Sequence, residues 1–171
     1  MIQLPEYVEH PAEMAERALL EQCRITRGRG SGPGGQHRNK VETAVHITHE
    51  PTGIDAQASE RRSQAENQRM AIRRLRVNLA VGVRVARRLP TDLWESRVRG
   101  GRIALNPDHA DFAPMLAEAM DHIAMQSGDV AKAAQALRTT TSQLVKLLKH
   151  EPRALEKINV GRQQRGLRKL Q

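Results

Sequence analysis

Aromatic residues and cysteine are nearly missing from this sequence of 171 residues. The chain contains one Trp, one Tyr, one Phe and one Cys, and aromatics amount to 2% of it. Because so few rings are available, the stacking of bases on an exposed aromatic platform is a weak hypothesis for this chain. The single cysteine, Cys23, excludes a disulfide framework within the chain and suits a reducing compartment.

Long apolar runs are also missing. No stretch approaches the roughly 18 apolar residues that a membrane span requires. The acidic N-terminal segment has neither an apolar signal region nor an Arg-rich amphipathic start. We therefore expect a cytoplasmic protein with no membrane partner. Apolar residues still make up 39% of the chain, which is enough for a core of Ala, Val, Leu, Ile and Met.

Positive charge, in contrast, is abundant and is concentrated in the middle of the chain. The net charge is +9, and residues 24–102 contain 17 Lys and Arg, nearly all of them Arg, against seven acids. Arginine favours planar, bidentate contacts with phosphate. The charge balance therefore indicates a polyanionic partner, and the alternative is a basic surface that only confers solubility.

The hydrophobic periodicity predicts a small sheet near the N-terminus. The predicted elements are a short helix at 11–22 and alternating strands at 23–27, 41–49 and 54–59. The last two strands surround a turn signal at 50–53, where Pro51 fixes φ and Gly53 is free to adopt a positive φ. Two alternating runs around a turn predict a β-hairpin.

A long helix is predicted to follow this sheet. Ser63 and Glu66 have the spacing of a capping box, in which the hydroxyl accepts from the amide three residues on. The helix is expected to run to about Arg88 and to end at Pro90, which cannot continue it. The expected fold class is α+β, a small mixed or antiparallel sheet with a β-hairpin and one long packed helix.

The C-terminal part is predicted to be helical. A short hairpin is expected at 97–105, and apolar spacing predicts helices at 112–123, 130–137 and 142–149. The last two helices are joined by a short polar turn, which is the spacing of a helix-turn-helix. The basic run at 162–171 is interpreted as a tail.

The segment G-S-G-P-G-G-Q-H-R-N-K at 30–40 contains more glycine than a simple turn needs. It has the spacing G-x-G-x-x-G, but a dinucleotide-binding loop opens into a helix, whereas an alternating strand is predicted here. Gln36 also stands where a P-loop requires Lys. Ordering so flexible a backbone costs entropy, so we expect a partner to order it on contact.

This segment carries a resemblance to a known family. The run S-G-P-G-G-Q-H-R-N-K-V-E-T-A-V at 31–45 resembles the Gly-Gly-Gln signature of class I peptide chain release factors and of their ribosome-rescue relatives. The likeness continues through I-T-H-E-P-T-G-I at 47–54 and E-R-R-S-Q-A-E-N at 60–67. It covers roughly residues 20–88, and the three segments occur in the order that the family has.

The resemblance implies a peptidyl-tRNA hydrolase that cleaves the ester between nascent peptide and tRNA on the ribosome. The implied catalytic residues are Gly34, Gly35 and Gln36, and the implied partners are large-subunit rRNA and peptidyl-tRNA. The glycines lack Cβ atoms, so their backbone can enter between nucleotides. Gln36 cannot ionise, but its N–H can donate to an oxyanion and its side-chain amide can orient water. Family members often carry a methylated Gln here, which implies a glutamine methyltransferase as a further partner.

Contacts with RNA are expected from polar and cationic residues of the loop, the long helix and the C-terminus. They are Arg29, Ser31, His37, Arg38, Asn39, Lys40, Arg69, Arg73, Arg74, Arg162, Arg165, Arg168 and Lys169. His46 and His49 lie three apart on a strand and should face opposite sides, so they cannot share a metal. We expect no metal and no cofactor.

These observations predict three parts: a catalytic domain at 1–105, a helical segment at 106–150 and a basic tail at 151–171. A decoding domain would not fit into this length, so the first hypothesis is codon-independent release of peptides from stalled ribosomes, with the tail in the mRNA channel of the small subunit. The alternatives are a factor for damaged ribosomes and a non-catalytic protein that reads DNA through the helix-turn-helix, using Ser142 and Gln143.

Overall fold

The computed structural model describes residues 9–28, 43–87 and 89–171. Its first elements are α1 (Glu16–Glu21), β1 (Cys23–Gly28), β2 (Ala44–His49), β3 (Ile54–Ala58) and α2 (Gln64–Gly82). The remaining elements are α3 (Asp92–Arg97), β4 (Val98–Arg99), β5 (Arg102–Ile103), α4 (Phe112–Met125), α5 (Val130–Ala136), α6 (Thr141–Lys149) and α7 (Pro152–Gln164). The predicted α+β class is confirmed. No helix in the described ranges is long and apolar enough to cross a membrane.

The first three strands form an antiparallel sheet in the order β1–β2–β3, which agrees with the small mixed or antiparallel sheet that was predicted. Ile25, Ile47 and Ala56 lie side by side in register across it. The face that carries Ile47 packs on α2. Every second residue of β2 lies on this face and is buried, because side chains alternate between the two faces of a strand. Gly53 has φ +69° in the turn between β2 and β3. The predicted hairpin is therefore confirmed.

Helix α2 begins where the capping signal placed it. The Ser63 hydroxyl accepts from the Glu66 amide at 3.4 Å, and Leu75 and Leu79 of the apolar stripe are fully buried. The predicted end at about Arg88 is wrong, because the helix ends at Gly82 and Val83 is extended, with φ −93° and ψ 148°. The chain leaves the helix early because the next residues are held by partners on α4.

A buried group of ion pairs holds the segment that follows α2. Arg87 donates through Nε to Asp121 Oδ2 at 2.9 Å and through Nη2 to Glu13 Oε1 at 2.5 Å. Arg84 donates to Asp121 Oδ1 at 3.1 Å. The side chains of Arg87 and Asp121 are 3% and 0% exposed. Buried charges are tolerated only when paired, so Asp121 fixes the path of this segment against α4.

Two further side chains fasten the same segment at its ends. His10 is fully buried, and its Nδ1 accepts from the Ala12 amide at 3.0 Å while its Nε2 lies 3.3 Å from the Val83 carbonyl oxygen. The carboxylate of Glu118 accepts from both the amide and the hydroxyl of Thr91, at 2.7 and 2.6 Å. Because the Nδ1 atom of His10 accepts a hydrogen bond, the ring carries its proton on Nε2 and is neutral.

Helix α4 is the centre of the C-terminal half. Of its 14 residues, 12 are buried. It packs against α2 on one side and against α5, α6 and α7 on others. The sheet, α2 and the C-terminal helices therefore share one hydrophobic core. The predicted boundary at residue 105 separates a catalytic domain from a helical segment by their expected functions, and it stays a prediction.

The predicted basic tail is wrong as a description of residues 151–171. Residues 152–164 form α7, whose Ala154 and Ile158 are buried four residues apart against the core. The chain then folds back along this helix, because the amide and carbonyl of Leu170 bond to the side chain of Asn159 at 2.7 and 3.2 Å. The apolar stripe of this helix was missed in the sequence because many charged residues surround it.

Replacing Asp121 should destabilise the protein far more than replacing an exposed partner in a similar pair. Asp121→Asn leaves Arg84 and Arg87 with an uncompensated charge in the core, and we expect a loss of about 3–5 kcal/mol of unfolding free energy. Asp108→Asn is the control, because its pair with Arg73 is largely exposed and should cost at most about 1 kcal/mol. Urea denaturation measures both, and equal losses would contradict the burial argument.

The stability of the fold should fall in mild acid because of His10. Burial lowers the pKa of His10 from 6.5 to about 4. A depressed pKa means that the unfolded chain binds the proton first, so this contribution is complete above pH 6.5 and is lost as the pH falls towards 4. Wild type should therefore lose up to about 3 kcal/mol relative to His10→Gln across this range.

Denaturation of both proteins at a series of pH values tests this expectation. Asp121 and Glu118, whose pKa values burial raises, act in the opposite sense in both proteins. The comparison of the two proteins therefore isolates His10. The same substitution at the exposed His109 controls for the loss of a histidine, and parallel pH curves for wild type and His10→Gln would contradict the account.

Candidate functional site

The structure describes the two strand ends that flank the glycine-rich segment, and we call these strand ends the base of the segment. Gly28 at the end of β1 pairs with Ala44 at the start of β2. Residues 29–42, which connect them, lie outside the described residues. The predicted catalytic residues Gly34, Gly35 and Gln36 and the predicted RNA contacts Arg29, Ser31, His37, Arg38, Asn39 and Lys40 fall in this range and stay predictions.

The buried amide of Asn67 holds the base of this segment to the start of α2. Its Nδ2 donates to the Thr43 carbonyl at 2.7 Å and to the Arg61 carbonyl at 3.0 Å. Its Oδ1 accepts from the Arg61 amide at 2.9 Å. Asn67 is 0% exposed and lies one turn into α2, so the helix fixes the side chain. The point at which the chain re-enters the sheet is therefore tied to a rigid element.

A second set of contacts fastens the connection between β3 and α2. Arg74 donates to the Gln57 carbonyl at 2.8 Å and pairs with Glu60 at 2.5 Å. The hydrogen bond from Arg74 lowers the pKa of the Glu60 carboxyl. Asn78 donates to the Asp55 carbonyl at 2.7 Å. Side chains of α2 thus cover the outer edge of β3. The face of the sheet that points away from α2 is open.

The two histidines of β2 face opposite sides of the sheet, as their spacing predicted. His46 lies on the open face, 2.6 Å from the carboxylate of Asp55. His49 lies on the buried face between Thr52 Oγ1 at 2.8 Å and Gln22 Oε1 at 3.0 Å. Burial lowers the pKa of His49. Within the described ranges, no group of three or more His, Cys, Asp or Glu is placed to hold a metal ion.

The structure distinguishes among the three cations of α2 that were predicted to contact RNA. Arg73 pairs with Asp108 at 2.5 Å and also donates to the Pro107 carbonyl. Arg74 is held by the contacts to β3 and Glu60. Arg69 is exposed and makes no ion pair or hydrogen bond with any residue that the structure describes. RNA binding by these residues stays a prediction, and the geometry favours Arg69.

The C-terminal cations divide in the same way. Arg162 donates to the carbonyls of Arg168 and Gly128, so it joins the chain end to the start of α5. Arg165 donates to the Gly161 carbonyl at 2.8 Å on its own helix. The side chains of Arg168 and Lys169 are exposed. The last two are therefore better placed to contact a nucleic acid than Arg162, and this role stays a prediction.

Three exposed arginines near the base of the segment were missing from the predicted contacts. Arg27 precedes the Gly28–Ala44 pair, and Arg61 and Arg62 lie beside the amide of Asn67. Their side chains form no ion pair with another described residue. The signal was present in the sequence, since Arg61 and Arg62 belong to the E-R-R-S-Q-A-E-N stretch. Arg27 lies next to the segment at 29–42 in the sequence itself, whereas only the fold brings Arg61 and Arg62 near its end.

Part of the chain is similar in sequence to known proteins. Residues 18–93 match the RF-1 domain. Peptide chain release factor 1 of Leptospira biflexa is 47% identical over 77 residues, which are 45% of this chain and 21% of that protein. The release factor 1 of Acidiphilium cryptum is 46% identical over 83 residues, 48% of this chain and 22% of the relative. That of Chlorobaculum tepidum is 46% identical over 76 residues, 44% and 20%.

The matched residues comprise α1, the sheet, the glycine-rich segment and α2. Residues 18–93 thus carry an RF-1 domain, which this part of the chain shares with these peptide chain release factors. The chain spans about a fifth of the length of the curated relatives it matches. The helices from α4 onward lie beyond the matched range.

Replacing Asn67 should loosen the base of the glycine-rich segment. Asn67→Ala leaves the Thr43 carbonyl and the Arg61 backbone without their partners, at about 1–3 kcal/mol for each unsatisfied group. We expect a loss of about 3 kcal/mol in urea denaturation and faster amide exchange at Ala44. Asn78→Ala, which removes a bond to the Asp55 carbonyl and an exposed one from Arg153 Nη1 at a half-buried position, is the matched control and should cost about 1 kcal/mol. Unchanged exchange at Ala44 would refute the role of Asn67.

Proposed function

We propose that this protein hydrolyses the ester between a nascent peptide and its tRNA on the ribosome. The observation that carries the proposal is the RF-1 domain match over 18–93, which contains Gly34-Gly35-Gln36 between two paired strand ends. A segment anchored at Gly28 and Ala44 can be carried on a rigid sheet into a confined RNA site. Peptidyl-tRNA is the substrate, and ribosomal RNA is the partner.

The chemistry that we propose needs no ionisable side chain in the segment. Water adds to the ester carbonyl, and the bond between the carbonyl carbon and the ribose oxygen then breaks. Negative charge develops on the carbonyl oxygen and then on the ribose oxygen, which takes up the proton that the water loses. The backbone N–H of Gln36 donates to this charge, and its side-chain amide orients the water. Gly34 and Gly35 allow the backbone to approach the ester, because a Cβ atom would meet the surrounding nucleotides. One such donor contributes about 10²–10³ in rate.

Gln36 is also the residue that we expect to be modified. Methylation of its amide nitrogen would retain the carbonyl and one N–H, so the group could still orient water. A glutamine methyltransferase would then be a second partner. Mass spectrometry of the protein purified from its native cells would identify the methyl group on this residue.

The release that we propose is independent of a codon. The helices from α4 onward, which lie beyond the match to the relatives, pack directly on α2 of the RF-1 domain. This helical unit and its exposed cations are available to contact the ribosome without reading a stop codon. The folded C-terminus of this chain is an argument against the extended tail of the first hypothesis, so contact with the mRNA channel would have to come from folded elements.

The test of the proposed reaction is peptide release from ribosomes that carry peptidyl-tRNA. Gln36→Ala and Gly35→Ala should each lower the rate by about 10²–10³, because they remove the positioned amide and the backbone freedom beside it. Gln57→Ala, the same change at an exposed position of β3, is the control and should release peptide like wild type. Undiminished release by both loop variants would end the catalytic proposal.

The codon dependence is measured in the same assay. Ribosomes on an mRNA that ends in the P site should support release as well as ribosomes with a stop codon in the A site. Release that occurs only with the stop codon would contradict codon independence, but it would leave the hydrolysis itself intact. The two proposals can therefore fail separately.

A further inference from the structure

We propose that the β4–β5 hairpin and the exposed side of α6 form a second nucleic-acid surface that binds the phosphate backbone of a duplex. This surface lies outside the RF-1 match at 18–93 except at its approach through α3. The proposal does not depend on the peptide-release activity, since it concerns other residues and another contact.

The hairpin and α6 are joined into one unit by hydrogen bonds. The Ile103 amide of β5 donates to Gln143 Oε1 of α6 at 3.1 Å. The Thr139 hydroxyl donates to the Gly101 carbonyl at the hairpin tip at 2.7 Å. Gly100 and Gly101 have φ +56° and +76°, which allows the tight turn that brings the tip to α6. A hairpin thus lies beside the second helix of the predicted helix-turn-helix pair.

The charge of this unit has one sign. The segments 96–107 and 130–150 contain seven Lys and Arg and no Asp or Glu. Three of these cations are already paired with a carboxylate: Arg97 with Asp111, Arg138 with Glu95 and Lys132 with Asp129. The four that remain are Arg99, Arg102, Lys146 and Lys149. A duplex backbone is the partner that matches an extended surface of uncompensated cations.

The hairpin itself concentrates this charge at its tip. Arg99 and Arg102 are directly opposite in register and both are exposed. Like charges opposite each other destabilise a strand pair. Neither side chain pairs with a carboxylate among the residues that the structure describes. The arrangement is unfavourable in the free protein and becomes favourable when an anion lies across both guanidinium groups.

Helix α6 extends the cationic surface beyond the hairpin. Ser142, Lys146 and Lys149 are exposed and lie at i, i+4 and i+7, which places them in one stripe along the helix. Leu144, Leu147 and Leu148 on the other side are buried in the core. The stripe is therefore fixed in orientation by the packing of α6, and its two lysines can contact successive phosphates.

The contacts that we infer are to phosphates and carry little sequence information. Gln143 was one of two predicted base-reading residues, but its side-chain oxygen accepts from the Ile103 amide and the residue is half-buried. Only Ser142 remains of that pair, and a single hydroxyl discriminates poorly among bases. The helix-turn-helix hypothesis therefore changes from sequence reading to backbone binding.

Fluorescence anisotropy of the full chain with labelled duplexes of roughly 16 base pairs tests the surface. Arg99→Gln/Arg102→Gln should weaken binding about tenfold and reduce the slope of log affinity against log salt by about 2, because about 0.9 is lost for each phosphate contact. Arg17→Gln/Arg24→Gln, two exposed arginines of α1 and β1 with the same charge change, is the matched control and should retain wild-type affinity and slope.

Each outcome bears on the proposal. Equal losses in the two double variants, or no loss in Arg99→Gln/Arg102→Gln, would overturn it, and so would a strong preference for one base sequence among scrambled duplexes. The affinities for an RNA duplex and for a DNA duplex are measured in parallel, and the duplex that binds more tightly identifies the kind of nucleic acid that this surface prefers. Arg99→Gln/Arg102→Gln should melt no lower than wild type, since it relieves repulsion. If it fails to fold, Lys146→Gln/Lys149→Gln on α6 tests the same surface.

Discussion

The architecture depends on one buried carboxylate. Asp121 on α4 binds Arg84 and Arg87 and also accepts from the Val85 amide at 3.2 Å. These contacts stop α2 at Gly82 and hold the next residues extended across α4. Arg87 in turn holds Glu13, so the N-terminal segment, α2 and α4 meet at one point. The RF-1 domain and the C-terminal helices are thereby joined through charges that are stable only as a complete set.

The same architecture presents the candidate site at the end of the sheet. The buried face of β2 rests on α2, and Asn67 of α2 returns to bind the Thr43 carbonyl beside the glycine-rich segment. The segment is thus anchored by a helix that is itself locked to α4. The hydrolysis that we propose would require such a rigid anchor, because movement at the anchor would misplace a reacting group at the far end of the segment.

Sequence patterns that span only a few residues predicted the strands of the sheet and the start of α2. Alternation gave the strands, and the capping signal at Ser63 gave the start of α2, because both depend on neighbours within a few residues. The end of α2 was not predictable in this way, since it depends on Asp121, which is 34 residues from Arg87. The role of Asn67 likewise depends on Thr43, 24 residues away. The Gly-Gly-Gln segment was recognisable from the sequence, whereas the internal pairing of Arg73 and Arg74 required the fold.

The most direct test of the central claim is the fate of the ester when ribosomes loaded with peptidyl-tRNA meet the purified protein in ¹⁸O-labelled water. Hydrolysis by a positioned water molecule predicts that the peptide is freed with solvent oxygen in its new carboxylate and that the tRNA leaves with an intact ribose hydroxyl. A peptide that stays esterified to tRNA, while the protein is demonstrably bound to the same ribosomes, would contradict the account.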